Sequence, residues 1–211
     1  MAKQIKVLYV DDEPLLKMAF VEGLKRHGYN ISGSDGGESV LEMIRDEKPD
    51  LLILDLMMKP LDGWSILLAV KDYPGFENTS VIMQTGKSLT LHDFFKYGDY
   101  IDNYLVKPFR IQNMIEVIEQ IEAQNDEIAH DIELATEMGT DEDLIKKYVK
   151  IKRKAKASKH LLEALSRLYP ITKDGVITNM EEASAPELTG IVDKHVACQK
   201  KYDEIRSEIF G

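Results

Sequence analysis

The sequence predicts an α/β fold with a parallel sheet for the first half of the chain and an all-helical second half. As far as residue 110, short apolar segments alternate with helical patterns, which is typical of a parallel sheet with helices on both faces. Beyond it, apolar residues recur every three or four positions through long stretches without proline or glycine. A chain of 211 residues is long enough for two small domains, and we predict them at 1–110 and 111–211.

Each strand of the first half is predicted from a short apolar segment that ends in polar residues. The strands expected from this pattern are 6–10, 31–34, 51–54, 81–83 and 104–106. The segment 51–54 is apolar throughout, as expected of a parallel strand buried on both faces. Helices fill the intervals, and Pro14 suits the first turn of the helix that follows the first strand. The predicted class is therefore α/β, a doubly wound five-stranded parallel sheet.

Composition limits the classes of function. The net charge of −10 argues against bulk attraction to nucleic acid or to an anionic membrane. No apolar run approaches the ~20 residues that a membrane span requires, and the N-terminus leads into a strand without a signal-peptide core. The single cysteine, Cys198, excludes an internal disulfide and fits a reducing compartment. We therefore expect a cytoplasmic protein without a membrane partner.

Polar residues follow four of the predicted strands. Asp11 and Asp12 come after the first, Asp55 after the third, Thr85 after the fourth and Lys107 after the fifth. The ligand site of such sheets lies at the carboxyl ends of the strands. Three carboxylates meeting there repel one another, and Mg²⁺ or Mn²⁺ would relieve that repulsion. A carboxylate can also attack a phosphoryl group, while a metal and a lysine neutralise the charge on the transferred oxygens.

Each of these residues also has a structural explanation when it is taken alone. Asp11 and Asp12 could cap the helix that starts at Pro14, and Thr85 could be an ordinary helix cap. Asp55 is harder to explain in this way, because an unpaired buried carboxylate is costly. Their occurrence together at four strand ends favours a functional site.

The motifs around these residues resemble the receiver domain of two-component response regulators over residues 5–110. They are Val10-Asp11-Asp12-Glu13-Pro14, Leu54-Asp55-Leu56-Met57-Met58, Asp62-Gly63, Gln84-Thr85-Gly86 and Tyr104-Leu105-Val106-Lys107-Pro108-Phe109. The resemblance implies a flavodoxin-like sheet of order 2-1-3-4-5. It also implies that Asp55 accepts a phosphoryl group from a sensor histidine kinase, with no further enzymatic activity than this acceptance and its own dephosphorylation. The resemblance does not extend to residues 111–211.

The resemblance assigns the remaining roles at the site. Asp12, Asp55 and the backbone carbonyl of Met57 would hold Mg²⁺ directly, and Asp11 would assist through water. Lys107 would contact the phosphoryl group.

Three further residues complete the pocket by the same resemblance. Thr85 would contact the phosphoryl group, next to the backbone of Met57 and Gly86. Tyr104 would turn inward as the threonine moves, so that these two side chains form the switch.

Two bonds to proline near the site are distinctive. The Lys107-Pro108 bond resembles one that is usually cis in receivers. Lys59 stands at the fourth position after Asp55, where receivers usually have proline, and Pro60 follows one place late. We expect this departure to alter the loop beside the site.

Three helices are predicted in the second half, at about 110–138, 141–169 and 185–210. Their apolar residues alternate spacings of three and four, which is typical of a helical bundle or a coiled coil. Asn125 is a candidate polar residue that sets the register of the first helix. Gly139 ends that helix, and Thr140 with Asp143 resembles a capping box for the next. A homodimer through this helical region is expected.

Charge is segregated along the second half. Residues 111–145 contain 11 acidic residues and no Lys or Arg, whereas residues 146–159 contain eight basic residues and no acidic ones. If the chain folds back at Gly139, the basic segment faces roughly residues 120–133. Pairing between the two segments would explain the segregation without an external ligand.

The output function of the second half has alternatives. A DNA-binding regulator with an atypical helical effector would use the basic segment 146–159, but the acidic second half makes nucleic acid an unfavourable partner. A phosphorelay intermediate would use His130, in Ala129-His130-Asp131-Ile132. A haloacid-dehalogenase-type phosphatase is discounted, because it needs a second aspartate where this chain has Met57. Signalling through altered dimerisation or protein contacts is therefore favoured, with an unknown downstream partner.

Overall fold

The computed structural model describes residues 5–76, 79–86, 90–166 and 185–211. Within them, five parallel strands form one sheet in the order β2-β1-β3-β4-β5, as predicted. The strands are β1 (Lys6–Val10), β2 (Asn30–Ser34), β3 (Leu51–Asp55), β4 (Ser80–Thr85) and β5 (Asn103–Val106). The helices are α1 (Pro14–Arg26), α2 (Ser39–Glu47), α3 (Gly63–Lys71), α4 (Leu91–Tyr97), α5 (Ile111–Glu137), α6 (Glu142–Ser166) and α7 (Ala185–Phe210). The predicted fold class, a doubly wound parallel sheet followed by three helices, is confirmed.

The described residues divide into two compact units. Of the described residues, the sheet unit contains 5–76, 79–86 and 100–122, and the helical unit contains 90–99, 123–166 and 185–211. Helix α4 therefore lies in the helical unit, although it falls between β4 and β5 in the chain. The predicted domain division at residue 110 stays a prediction.

The core of the sheet unit explains the first part of the apolar pattern in α5. Strands β3 and β4 are buried at every position, as expected between two layers of helices. Met114, Ile118 and Ile121 of α5 pack with buried residues of β1 and β3 in one apolar cluster. This part of the pattern is thus satisfied within the chain. The coiled coil and the dimer stay predictions.

The helical unit closes around a smaller core. Ala135 near the end of α5, Ile145 and Tyr148 near the start of α6, and Ile205 and Ile209 near the end of α7 share one apolar cluster. Helix α6 is consequently antiparallel to both of its neighbours. None of the helices in the described residues has the length and apolar character that a membrane span requires.

The turn between α5 and α6 forms at Gly139, as predicted, with a positive φ of 74° that glycine adopts readily. The predicted capping box of Thr140 and Asp143 is wrong. Asp141 caps α6 instead, because its Oδ1 accepts the backbone N–H groups of Asp143 at 3.0 Å and Leu144 at 3.2 Å. The predicted end of the second helix at 167–169 and the connection up to residue 184 lie outside the described residues.

The predicted pairing of the acidic and basic segments is confirmed. The Lys152 side chain is only 1% exposed, and its Nζ lies 2.8 Å from Glu127 Oε1 and also contacts Asp131. Lys156 forms an ion pair with Glu127, and the Tyr148 hydroxyl donates to Asp131 Oδ2 at 2.5 Å. Buried charges need such partners, so these contacts specify how α5 and α6 pair.

Replacing the buried lysine should destabilise the helical unit. In Lys152→Ala the carboxylate of Asp131 loses its buried cation, and we expect the free energy of unfolding to fall by about 2–4 kcal/mol. Lys150→Ala, at an exposed position of the same helix, should change it by less than about 0.5 kcal/mol. Urea unfolding followed by far-UV circular dichroism measures both, and equal losses would contradict the proposed role of Lys152.

Candidate acidic site at the strand ends

Three carboxylates meet where β1 and β3 end. Asp11 and Asp12 directly follow β1, and Asp55 is the last residue of β3, its neighbour in the sheet. Carboxylate oxygens of the three residues all lie within 4.8 Å of one another. Asp11 and Asp55 are buried, whereas Asp12 is exposed. The convergence expected from the sequence is therefore present.

Lys107 joins two of these carboxylates. Its Nζ lies 2.9 Å from Asp11 Oδ2 and 3.2 Å from Asp55 Oδ2. Its backbone N–H donates to the Thr85 carbonyl at 2.7 Å, which fixes the residue at the end of β5, and the Lys107-Pro108 bond is cis as expected. Burial by itself lowers the pKa of Lys107, but hydrogen bonding to Asp11 and attraction by Asp55 outweigh it, so its pKa lies above the ordinary value.

Asp55 is held in an unfavourable environment for a negative charge. Burial raises the pKa of its carboxyl group, and the nearby charge of Asp11 adds to the shift, while Lys107 opposes it. Only Oδ2 of Asp55 contacts Lys107, and the buried Oδ1 has no hydrogen-bond partner within the described residues. A buried carboxylate oxygen without a partner is uncommon and is an available ligand position.

The donor set fits a small divalent cation. All three side chains offer oxygen ligands, which Mg²⁺ and Mn²⁺ prefer, and the unpartnered oxygen belongs to one of them. This cluster of Asp11, Asp12 and Asp55 is typical of the magnesium site of receiver domains.

The residues predicted to surround a phosphoryl group lie at neighbouring strand ends. Thr85 ends β4 and is fully buried, while Gly86 after it is exposed, and among the described residues, its chain neighbours apart, no atom lies within 4 Å of a Cβ built at Gly86. Met57 follows β3 and is 62% exposed. Tyr104, half-buried in β5, pairs with Met83 of β4. The roles assigned to these residues stay predictions.

The loop after β3 carries the departure noted in the sequence. The Lys59 backbone N–H donates to Asp12 Oδ2 at 3.2 Å, and the following Lys59-Pro60 bond is cis. A proline at position 59 would have no N–H to offer. The loop thus holds the exposed carboxylate of the cluster.

Tyr9 and Gln84 also contact the site, although the sequence motifs gave neither residue a role. The Gln84 amide Nε2 donates to Asp11 Oδ2 at 3.0 Å, and the Tyr9 hydroxyl donates to Gln84 Oε1 at 3.0 Å. A polar residue in the otherwise apolar segment 81–84 was the available signal, because a buried amide needs hydrogen-bond partners.

Gly63 is required by a close approach of two backbone segments. A Cβ built on Gly63 would lie 2.4 Å from the Asp55 carbonyl oxygen and 2.9 Å from the Leu56 Cα. Asp62 caps the helix that begins there by accepting the Ser65 N–H at 2.8 Å. Together these contacts fix the start of α3 against the end of β3.

Comparison with known proteins agrees with this fold and site. Residues 7–119, more than half of the chain, match the model of the response regulator receiver domain. The chain therefore belongs to that family, and a receiver domain implies a histidine kinase as partner. Residues 124–211 match a second model, named Metanogen output domain 2, which identifies the half that its residues alone left unrecognised.

Individual relatives match mainly through the receiver. Transcriptional regulatory protein CseB of Streptomyces coelicolor is 33% identical over 110 residues, 52% of this chain and 45% of that protein. Protein PilG of Pseudomonas aeruginosa is 31% identical over 116 residues, 54% of this chain and 84% of that protein. The chain thus spans about half the length of the first curated relatives that it matches.

A solved structure shows the same correspondence. The structure of a putative response regulator from Chloroflexus aurantiacus is 26% identical and has a TM-score of 0.52. The match covers 57% of this chain and 99% of that one.

A side chain at position 63 should disturb the end of β3, where Asp55 lies. In Gly63→Ala the added Cβ meets backbone atoms that cannot yield, and we expect a loss of about 1–3 kcal/mol in the free energy of unfolding. Gly86→Ala is the control for stability, because its Cβ enters open space, and it should lose less than about 0.5 kcal/mol. Urea unfolding measures the free energy of unfolding of both variants. Similar losses in the two would contradict the close approach of Gly63 to the backbone of Asp55 and Leu56.

Removing the charge of Asp55 should stabilise the protein near neutral pH. Because the carboxyl pKa is raised in the folded state, ionisation of Asp55 opposes folding to its full extent above that pKa, and the penalty disappears only below the lower pKa of the unfolded chain. We expect Asp55→Asn to melt about 2–4 °C above the wild type near neutral pH. This gain in melting temperature should shrink as the pH falls below the folded-state pKa and vanish below the unfolded-state pKa, and saturating Mg²⁺ should reduce it at neutral pH. Differential scanning calorimetry measures the melting temperatures of both proteins. A lower melting temperature for the variant would contradict a raised pKa of Asp55 in the folded state.

Proposed function

We propose that this protein is a two-component response regulator that accepts a phosphoryl group on Asp55 from a sensor histidine kinase. The observation that carries the proposal is the state of the Asp55 carboxylate. One buried oxygen contacts Lys107, and the other has no partner within the described residues. A nucleophile and a charge-neutralising cation are thus adjacent at the ligand edge of the sheet.

The chemical step is a transfer between two residues. An oxygen of the Asp55 carboxylate attacks the phosphorus of the kinase phosphohistidine; the new P–O bond forms as the P–N bond breaks. The departing imidazole takes up a proton. Lys107, 3.2 Å from Asp55, neutralises charge on the transferred oxygens. The Thr85 hydroxyl and the backbone N–H groups of Met57 and Gly86 would bind those oxygens.

The acidic cluster would hold the cation that this chemistry uses. Asp12, Asp55 and the Met57 carbonyl would hold Mg²⁺ or Mn²⁺, with Asp11 acting through water. The bound cation supplies positive charge against the phosphoryl oxygens. The Lys59 N–H, by donating to Asp12, keeps that carboxylate over the site.

Helix α4 supports a route from the site to the output helices. It lies within the matched receiver residues, yet it packs in the helical unit against α7. Lys194 of α7 donates to the Phe95 carbonyl at 3.1 Å and lies 4.3 Å from the centre of the Phe95 ring. Gly190 lets the helices approach, since a Cβ there would lie 3.1 Å from that ring. Asp99, just after α4, pairs with Lys154 of α6 at 3.7 Å.

We infer that phosphorylation acts on the helical unit through α4. Helix α4 follows Thr85 in the chain, so a rearrangement of Thr85 and Tyr104 would act on the connection to it. A shift of α4 would change the exposed faces of α7, and the output would be altered dimerisation or contact with another protein.

The basic segment 146–159 is used inside the helical unit, which disfavours the DNA-binding alternative. Lys152, Lys154 and Lys156 all form ion pairs with acidic residues of that unit. His130 is exposed on α5, where a phosphoryl donor could reach it, so the experiment includes His130→Gln to test the phosphorelay alternative.

Acetyl phosphate, a small phosphoryl donor, tests the proposed acceptor. With Mg²⁺ present, intact-mass spectrometry should show the wild type gaining one phosphoryl group, and removal of Mg²⁺ with a chelator should prevent the gain. His130→Gln should be phosphorylated like the wild type, whereas Asp55→Ala should gain nothing. A wild type that stays unmodified, or an Asp55→Ala protein that still gains a phosphoryl group, would exclude Asp55 as the acceptor.

A further inference from the structure

Two fully buried polar side chains lie beneath the acidic site without a part in the transfer described above. Tyr9 is on β1 and Gln84 on β4, two strands that β3 separates in the sheet. Burying an amide and a phenol is unfavourable unless both are hydrogen-bonded. An apolar pair would avoid that penalty, so packing alone does not explain these residue types.

The hydrogen bonds between them have a definite direction. The Tyr9 hydroxyl has one hydrogen, and its shorter contact, 3.0 Å, is with Gln84 Oε1, compared with 3.4 Å to Asp11 Oδ2. Accepting that hydrogen with its oxygen turns the amide nitrogen of Gln84 towards Asp11. Gln84 Nε2 then donates to Asp11 Oδ2 at 3.0 Å.

These contacts leave Asp11 with both oxygens engaged. Oδ1 accepts the Glu13 backbone N–H at 2.9 Å, and Oδ2 accepts from Gln84 and from Lys107 at 2.9 Å. The carboxylate cannot rotate without breaking one of these charge-assisted bonds. Asp11 is therefore a fixed anchor for the Lys107 ammonium, whereas Asp55 keeps an unpartnered oxygen.

We propose that Tyr9 and Gln84 are positioning residues that fix the Asp11 carboxylate and thereby place Lys107 for phosphoryl transfer to Asp55. The proposal rests on the proposed function and names two residues that this function did not use. Tyr9 orients the amide of Gln84, Gln84 orients Asp11, and Asp11 holds Lys107.

If the network acts as proposed, its variants should lose more phosphorylation rate than Mg²⁺ affinity. Without the Gln84 donor, Asp11 is free to turn and Lys107 loses its fixed position, so the rate should fall. The direct cation ligands on Asp12 and Asp55 are untouched and Asp11 acts only through water, so cation binding should change less than the rate. A general loss of structure would instead weaken both together.

The experiment compares Gln84→Leu, Gln84→Glu and Tyr9→Phe with the wild type. Gln84→Glu keeps an acceptor for Tyr9 but replaces the amide donor by a carboxyl group, which repels the Asp11 carboxylate when it is ionised. Tyr9→Phe removes only the hydroxyl, because the ring stacks on Phe20 at 5.6 Å. Tyr29→Phe, a half-buried tyrosine of the sheet unit, is the matched control.

The rate of phosphorylation by acetyl phosphate is measured against Mg²⁺ concentration, and Mg²⁺ affinity is measured separately by calorimetry. We expect both Gln84 variants to lose about tenfold in rate at saturating Mg²⁺ and Tyr9→Phe to lose about threefold. Mg²⁺ affinity should fall by less than the rate in every variant, and Tyr29→Phe should match the wild type in both quantities.

Rates within twofold of the wild type for all three variants would overturn the proposal. So would a loss of Mg²⁺ affinity in proportion to the loss of rate, since that pattern indicates a disturbed fold. If the Gln84 variants fail to fold, the rate of Tyr9→Phe alone tests the proposal, because the phenylalanine ring keeps its packing against Phe20. A wild type that takes up no phosphoryl group would instead refute the proposed function itself.

Discussion

The structure depends on holding three carboxylates within 4.8 Å of one another at one edge of a sheet. Two of the three are buried, so their mutual repulsion is weakly screened by water. Lys107 offsets part of it by joining Asp11 and Asp55, and the remaining negative charge makes the site attractive to a divalent cation. A site that is electrostatically incomplete without its ligands is a common compromise between stability and function.

The parallel sheet allows this arrangement, and its residue types are local enough to be predicted. Apolar runs ending in Asp11, Asp55, Thr85 and Lys107 indicated strands whose carboxyl ends carry chemistry, and the strand order brings those ends together. Segregated charge likewise predicted the pairing of α5 with α6, because opposite charges on antiparallel helices attract. These features depend on pattern and spacing, which a single sequence displays.

Other features depend on which side chains meet across strands or helices, and sequence could not assign them. Gln84 contacts Asp11 only because the sheet brings β4 near β1, and Asp141 rather than Thr140 accepts the first N–H groups of α6. The apolar seam of α5 gave a coiled-coil expectation, yet Met114 and Ile118 are buried with the sheet. The packing of α4 with α7 had no sequence signal, because Phe95 and Lys194 are distant in the chain.

Hydrogen–deuterium exchange tests most directly whether the acidic site communicates with the helical unit. Mass spectrometry would follow the amides of α4 and the first half of α7, with Mg²⁺ and with or without beryllofluoride as a phosphoryl mimic. If the site communicates with the helical unit, we expect faster exchange in both segments of the wild type when the mimic is present, and no change in Asp55→Ala. Identical exchange in the wild type with and without the mimic would contradict it.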